Sequence, residues 1–231
     1  LFEKILNYRT DFIFDVALHF GTLAAAFVYF GNDIMNIIKD SLHGKWKTEN
    51  GKLGFLIIIG TIPAAVIGFL FQDIIKSAFS SLLVVAMGFA VTGMFLLIAS
   101  FWRGKNILNA WNLNYKNALL IGLAQTLALL PGVSRSGLTL VAGILIGLKE
   151  KEAARFSFLM SVPIVFGANI LAIGNKKLNP ELIWATLVAF VVGLIFIHLL
   201  YKYILNKKRN LKWFALYALL LSFCLILWEF L

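Results

Sequence analysis

Apolar runs long enough to cross a membrane recur along this chain and leave few folds open to it. Phe12–Phe30 is nineteen residues interrupted only by Asp15 and His19, and Leu53–Phe71 is nineteen with Pro63 inside. Leu82–Trp102, Phe156–Ile173, Leu182–Tyr203 and Trp213–Leu231 add runs of twenty-one, eighteen, twenty-two and nineteen. About twenty apolar residues coiled as a helix match the hydrocarbon thickness of a bilayer. The hydrophobic share is 61% and the mean hydropathy +0.88 across 231 residues, far beyond a soluble domain of this length. The expected fold is all-α, one polytopic membrane domain over residues 1–231 with about six transmembrane helices.

The formal charge of +10 would suggest nucleic acid in a soluble protein. Here the lysines and arginines sit in the links between apolar runs, where they fit the positive-inside bias and anionic headgroups. Membrane lipids are therefore the expected surroundings, and nucleic acid is not an expected partner. Lys207-Lys208-Arg209 reads as a topology determinant and headgroup contact, and Trp102 and Trp111 as interface anchors. His43 and His198 read as structural. The single Cys224 excludes an internal disulfide, and no His/Cys cluster suggests zinc.

Asn117–Leu148 does not read as an ordinary span. Pro131-Gly132 breaks it after fourteen residues, and Gly137–Leu148 supplies twelve more. Helical arms of those lengths reach only about 21 and 18 Å, short of the ~30 Å core. Two half-helices meeting at a non-helical tip make a re-entrant hairpin, which is tolerated where protein or water satisfies the exposed backbone. Charge counting separates the alternatives. If the segment returns to the side it entered from, fifteen Lys and Arg lie on that side and five on the other. If it crosses once, the split becomes nine to eleven. The positive-inside rule favours the re-entrant form, with the fifteen-charge side cytoplasmic.

That topology suggests an inverted repeat. Residues 1–102 form the first copy and 117–231 the second, with Gly21-Thr22 and Gly167-Ala168 at matching places in oppositely directed spans. Symmetry then asks for a second hairpin before Phe12, where the chain has only Leu1–Asp11.

The hairpin tip, LALLPGVSRSGLT over Leu127–Thr139, carries the chemistry. An arginine at membrane depth costs several kcal/mol, from about 2.5 to over 10, and so marks a function. Arg135 offers a permanent charge and a planar fork of donors matched to phosphate oxygens. Gly132 and Gly137 let backbone N–H groups approach an anion, and Ser134, Ser136 and Thr139 add hydroxyls. The positive end of the second arm's dipole points at the same place. The plainer alternative is that Arg135 caps a helix or pairs with Asp15 while the serines fill a kink.

Gln125, on the first arm, is within reach of the tip or serves as helix–helix glue. Asp15 and His19, four apart on one face of the first span, are either a second layer behind Arg135 or a pair satisfied locally. Hydrolysing a diphosphate calls for a metal held by carboxylates or a nucleophile beside a base. The hairpin has no acidic residue, and Asp15 is the only carboxylate well inside a span. The tip therefore reads as half of a site.

The run from Gln125, QTLALLPGVSRSGLT, resembles the second signature of the undecaprenyl-diphosphate phosphatase family, also known for bacitracin resistance. DVALHFGTLAA at 15–25, GTIPAAVIGF at 60–69 and EAARFSFLMSVPIVFGA at 152–168 follow the family pattern in the same order. The resemblance spans essentially the whole chain. It implies an inverted-repeat enzyme of the bacterial inner membrane that releases phosphate from undecaprenyl diphosphate, recycling the cell-wall lipid carrier. It also implies a divalent cation, magnesium or calcium, with a homodimer as one allowed assembly. Carried over residue by residue, Ser134, Arg135 and Thr139 bind and polarise the diphosphate, with Ser136 and Gly132 beside them. The family's first signature, ExxxE followed by PxSSTGH, does not occur here. The expectation is an N-terminally truncated chain whose metal ligands are largely missing and whose own hydrolysis is weak. The competing reading is a lipid-phosphate transporter or flippase, which needs the anion site but not the carboxylates.

Overall fold

The computed structural model describes residues 12–79, 81–173 and 180–230, so the expectations placed on Leu1–Asp11 lie outside it. Ten α-helices are numbered here over the described residues. They are α1 Phe12–Tyr29, α2 Gly31–Leu42, α3 Glu49–Leu70, α4 Gln72–Ala78 and α5 Leu82–Phe101, followed by α6 Tyr115–Leu127, α7 Arg135–Ile146, α8 Glu150–Ile173, α9 Pro180–Leu199 and α10 Leu211–Phe230. No strand occurs among the described residues. The all-α membrane expectation holds. Four segments have both the length and the composition of a membrane span: α3, α5, α10 and Leu182–Tyr203, which continues α9 into a π-helical turn.

Two links read as polar from sequence are helical. Gly31–Lys52 contains α2, an amphipathic helix that turns Ile34 inward and leaves Met35, Ile38 and Leu42 exposed. The link after Phe71 contains α4. Neither is apolar enough to register as a span, so the reading by run length passed over both.

The hairpin is the centre of the fold. Its arms are α6 and α7, of thirteen and twelve residues, about 20 and 18 Å long at 1.5 Å per residue. They pack on each other, on α3 and α8, and at the tip on α5. The boundaries differ slightly from the sequence reading. α6 stops at Leu127, before Pro131, and α7 starts at Arg135 because Ser134 rather than Gly137 ends the tip.

The hairpin's two ends are fastened together. Ile107 and Leu108 donate their N–H groups to the Gly147 carbonyl, and the Lys149 N–H returns to the Leu108 carbonyl at 3.0 Å. Asn106 Nδ2 donates to the carbonyls of Ile144 and Leu148 at 2.7 and 2.8 Å. Gly147 ends α7 at φ +109°, and Leu148 N–H reaches back to the Gly143 carbonyl, a left-handed cap that suits glycine. A segment whose beginning and end are hydrogen-bonded neighbours returns to its starting side. Close packing agrees: Gly60 faces Ala118 and Gly122, and Gly68 faces Leu129. α3 and α6 therefore run parallel, as they must if both leave the lysine-rich side.

Elsewhere α1 packs on α9 and α5 on α10, with the Ser222 hydroxyl donating to the Ala86 carbonyl at 2.7 Å across the second pair. Near the start of α8, Arg155 grips Asp33 at the head of α2 through Nε and Nη2 at 2.9 and 2.8 Å. Glu152 lies 3.5 Å from the same guanidinium and also accepts the Ala110 N–H.

Candidate anion site at the hairpin tip

The tip is shaped by one cap and one buttress. Ser134 is the N-cap of α7 in extended conformation (φ −75°, ψ 110°), and its Oγ accepts the Gly137 N–H at 3.2 Å. This is the standard role of a serine before a helix. Leu138 N–H bonds to the Ser134 carbonyl at 2.9 Å, which leaves the first-turn N–H groups of Arg135 and Ser136 as the unsatisfied donors of this helix start. Because Ser134 Oγ serves as an acceptor inside the protein, its hydroxyl hydrogen can be donated outward. Ser136 is exposed.

α5 is the buttress. Gly132 sits at φ +83°, and a Cβ there would lie 2.0 Å from the Val85 carbonyl oxygen. A Cβ on Gly88 would lie 2.2 Å from the Pro131 carbonyl oxygen. Both positions exclude any side chain, because backbone lies against backbone there. Thr92, buried one turn beyond Gly88, accepts the Ser134 N–H at 2.9 Å, donates to the Gly88 carbonyl at 3.0 Å and lies 3.5 Å from the Gly132 carbonyl.

Arg135 is half-buried at the first position of α7. Its guanidinium makes no hydrogen bond or ion pair with any described residue. The alternative of a pair with Asp15 falls on a side chain outside the described residues. A fixed cation without a counter-charge among the described residues, next to free N–H groups and hydroxyls, is an arrangement that an anion can complete.

Thr139 is buried behind this start. Its hydroxyl donates to the Arg135 carbonyl at 2.8 Å and also bonds to the Ser157 hydroxyl of α8, which itself lies 3.3 Å from the Ser136 carbonyl. Gln125 is 1% exposed, and neither of its amide atoms has a hydrogen-bond partner. An orphaned buried amide is rare enough to require a reason. His19 is exposed on α1.

Sequence reading missed Thr92 and Ser157. Both are lone hydroxyl residues inside apolar runs, and such residues commonly bond to a carbonyl of their own helix. The available signal was the spacing of Gly88 and Thr92, which puts a small residue and a hydroxyl on one face. Among the described residues, no three His, Cys, Asp or Glu gather to hold a metal. The tip's guanidinium, N–H and hydroxyl donors suit an anion, so the described residues do not form the expected magnesium or calcium site.

Fold and tip together define a class: a polytopic helical membrane protein with a re-entrant hairpin whose tip carries a guanidinium, hydroxyls and helix-start N–H groups. The family model for "Bacitracin resistance protein BacA" matches residues 1–224, and this chain belongs to that family. It is 39% identical over 222 residues to an "Undecaprenyl-diphosphatase" of Thermosipho melanesiensis, covering 96% of this chain and 86% of the relative. The relative of the same name from Elusimicrobium minutum is 41% identical over 217 residues, covering 93% and 82%. That from Methanococcus vannielii is 35% identical over 228 residues, covering 98% and 89%.

Proposed function

We propose that this protein is a membrane hydrolase of undecaprenyl diphosphate, yielding undecaprenyl phosphate and inorganic phosphate, with the diphosphate seated on the hairpin tip. Family membership and the shared name of the relatives support the reaction. The observation that carries the seat is the unpartnered Arg135 guanidinium beside the free N–H groups of Arg135 and Ser136.

The reaction adds water across the phosphoanhydride. The bond from the bridging oxygen to the terminal phosphorus breaks, and the lipid monophosphate departs carrying the bridging oxygen. Negative charge grows on the bridging oxygen as this bond lengthens. Arg135 faces that charge with two parallel N–H donors, and Ser134 adds its hydroxyl. Preorganised donors of this kind are worth about 10²–10³ in rate each. Ser136 and the glycine-flanked backbone at Gly132 complete the cradle. Thr139 belongs to the binding set through the helix start, since its hydroxyl holds the Arg135 carbonyl. Gln125 supplies an amide to a polar group of the bound headgroup. Asp15 and His19 keep the second-layer role only as part of this proposal, since the Asp15 side chain lies outside the described residues and His19 is exposed on α1.

The divalent cation of the sequence reading stays a proposal, and no three His, Cys, Asp or Glu among the described residues gather to hold it. Chelation that abolishes phosphate release, restored by magnesium or calcium, supports it, and indifference to chelation refutes it. The expected location is a bacterial inner membrane.

The central test is phosphate release from undecaprenyl diphosphate in detergent micelles by the protein and its Arg135→Ala form. A loss of at least about a hundredfold is expected. Equal turnover by the two would remove Arg135 from the site. Headgroup translocation across reconstituted vesicles without hydrolysis would favour the transporter reading instead.

A further inference from the structure

We infer that Thr92, on α5, is a positioning residue for this reaction: its hydroxyl sets the register of the hairpin tip so that Arg135 and the start of α7 face the diphosphate. The inference rests on the tip being the phosphate seat.

The tip cannot hold its own shape. Residues between Leu127 and Arg135 are not α-helical, and Gly132 adopts a left-handed φ that few other residues tolerate. A non-helical segment at membrane depth must find its backbone partners in neighbouring protein. Thr92 is that partner. One hydroxyl accepts the Ser134 N–H at 2.9 Å and directs its own hydrogen at the Gly88 carbonyl, with the Gly132 carbonyl 3.5 Å away. The residue it grips is the N-cap. Ser134 fixes where α7 begins, and with it the direction of the Arg135 side chain and of the two free N–H groups.

Its methyl group lies on the Gly137 side: a Cβ added to Gly137 would lie 3.6 Å from Thr92 Cγ2. Thr92 therefore neighbours the tip both before and after Arg135. Consumption of the Ser134 N–H by Thr92 has a further consequence. It withdraws that donor from the ligand and leaves the two N–H groups of Arg135 and Ser136 to receive it.

The test pairs Thr92→Val, which keeps the shape and removes the hydroxyl, with Thr92→Ser, which keeps the hydroxyl and removes the methyl. Three readouts are taken on the full chain: kcat and KM for phosphate release, binding of undecaprenyl diphosphate, and hydrogen exchange of a peptide covering residues 130–138. The valine variant leaves the Ser134 N–H buried and unsatisfied. It is expected to exchange faster at the tip and to lose roughly ten- to a hundredfold in kcat/KM, the scale of a misplaced catalytic group. Its thermal midpoint serves to exclude general unfolding. The serine variant is expected to stay within about threefold of the parent, since the restored hydrogen bond carries the effect. Faster tip exchange with unchanged kcat/KM would overturn the positioning role, as would equal losses in both variants. A parent protein that neither binds nor hydrolyses undecaprenyl diphosphate would overturn the functional reading and this role with it. Unchanged kinetics in Thr92→Val alone would overturn only the role of Thr92.

Discussion

Arg135 and Gln125 are both polar side chains without partners among the described residues, yet they carry different expectations. A guanidinium cannot shed its charge, so it needs an anion or water beside it. Lysine in its place keeps the charge and loses the planar fork. Arg135→Lys is therefore expected to recover only part of the phosphate release lost in Arg135→Ala, with the deficit larger in kcat than in KM. Gln125 is neutral, and burying its amide unsatisfied costs about 1–3 kcal/mol. Gln125→Leu fills similar volume without that cost. It is expected to hold or raise the thermal midpoint while weakening undecaprenyl diphosphate binding. A stability gain with unaltered affinity would remove Gln125 from the ligand's surroundings.

At the scale of the element, the hairpin depends on its base and its buttress. Asn106 ties the end of α7 to the link before α6 through two carbonyls, Ile144 and Leu148. Asn106→Leu strands the Leu148 carbonyl and removes one of two donors from Ile144, which keeps the Gly147 N–H, and a loss of about 1–3 kcal/mol is expected in the unfolding free energy. Hydrogen exchange should rise over residues 105–110 and 146–150 together, because each segment is the other's partner. At the buttress, Gly88→Ala puts a methyl where the Pro131 carbonyl oxygen now sits. Either α5 or the tip must shift, and phosphate release is expected to fall by about a hundredfold, as for a displacement near 1 Å. A normally active Gly88→Ala protein would show that the tip does not lean on α5 there.

For the whole molecule, the fastened base makes a topological statement that labelling can read. With Cys224 replaced by serine, single cysteines at Lys105 and Lys151 are expected to react with an impermeant maleimide from the same face of the membrane, and one at Lys76 from the opposite face. Labelling of Lys105 and Lys151 from opposite faces would restore a single crossing. The same side holds the Arg155–Asp33–Glu152 group, which joins α2, α8 and the link before α6. Its exposure is limited, with side chains 20% exposed for Arg155 and 30% for Asp33. Breaking it by Asp33→Asn is expected to cost about 1–3 kcal/mol, less than a fully buried pair because water still reaches both partners.

Sequence alone determined the features that follow from local composition. Apolar run length requires membrane helices, since no other arrangement of these runs satisfies its backbone in lipid. Lysine and arginine counts in the links required the re-entrant hairpin, because charge sidedness is a property of the chain's order. Proline, glycines, serines and a lone arginine at the tip announced an anion site, because each residue type has a definite conformational or charge cost there. Tertiary structure decided what depends on residues far apart in the chain. α2 is helical with Ile34 turned against its neighbours, and α4 is a short helix with no buried residue; run length reports neither. Thr92 lies forty-two residues before the Ser134 N–H it holds, and Ser157 lies eighteen after Thr139. A hydroxyl in an apolar run looks the same in sequence whether it bonds within its own helix or to another. Arg135 could be recognised as costly from the chain itself, but only the fold shows that no described side chain neutralises it. That charge, unanswered among the described residues and carried on a helix start that α5 holds, is what the proposed phosphate seat rests on.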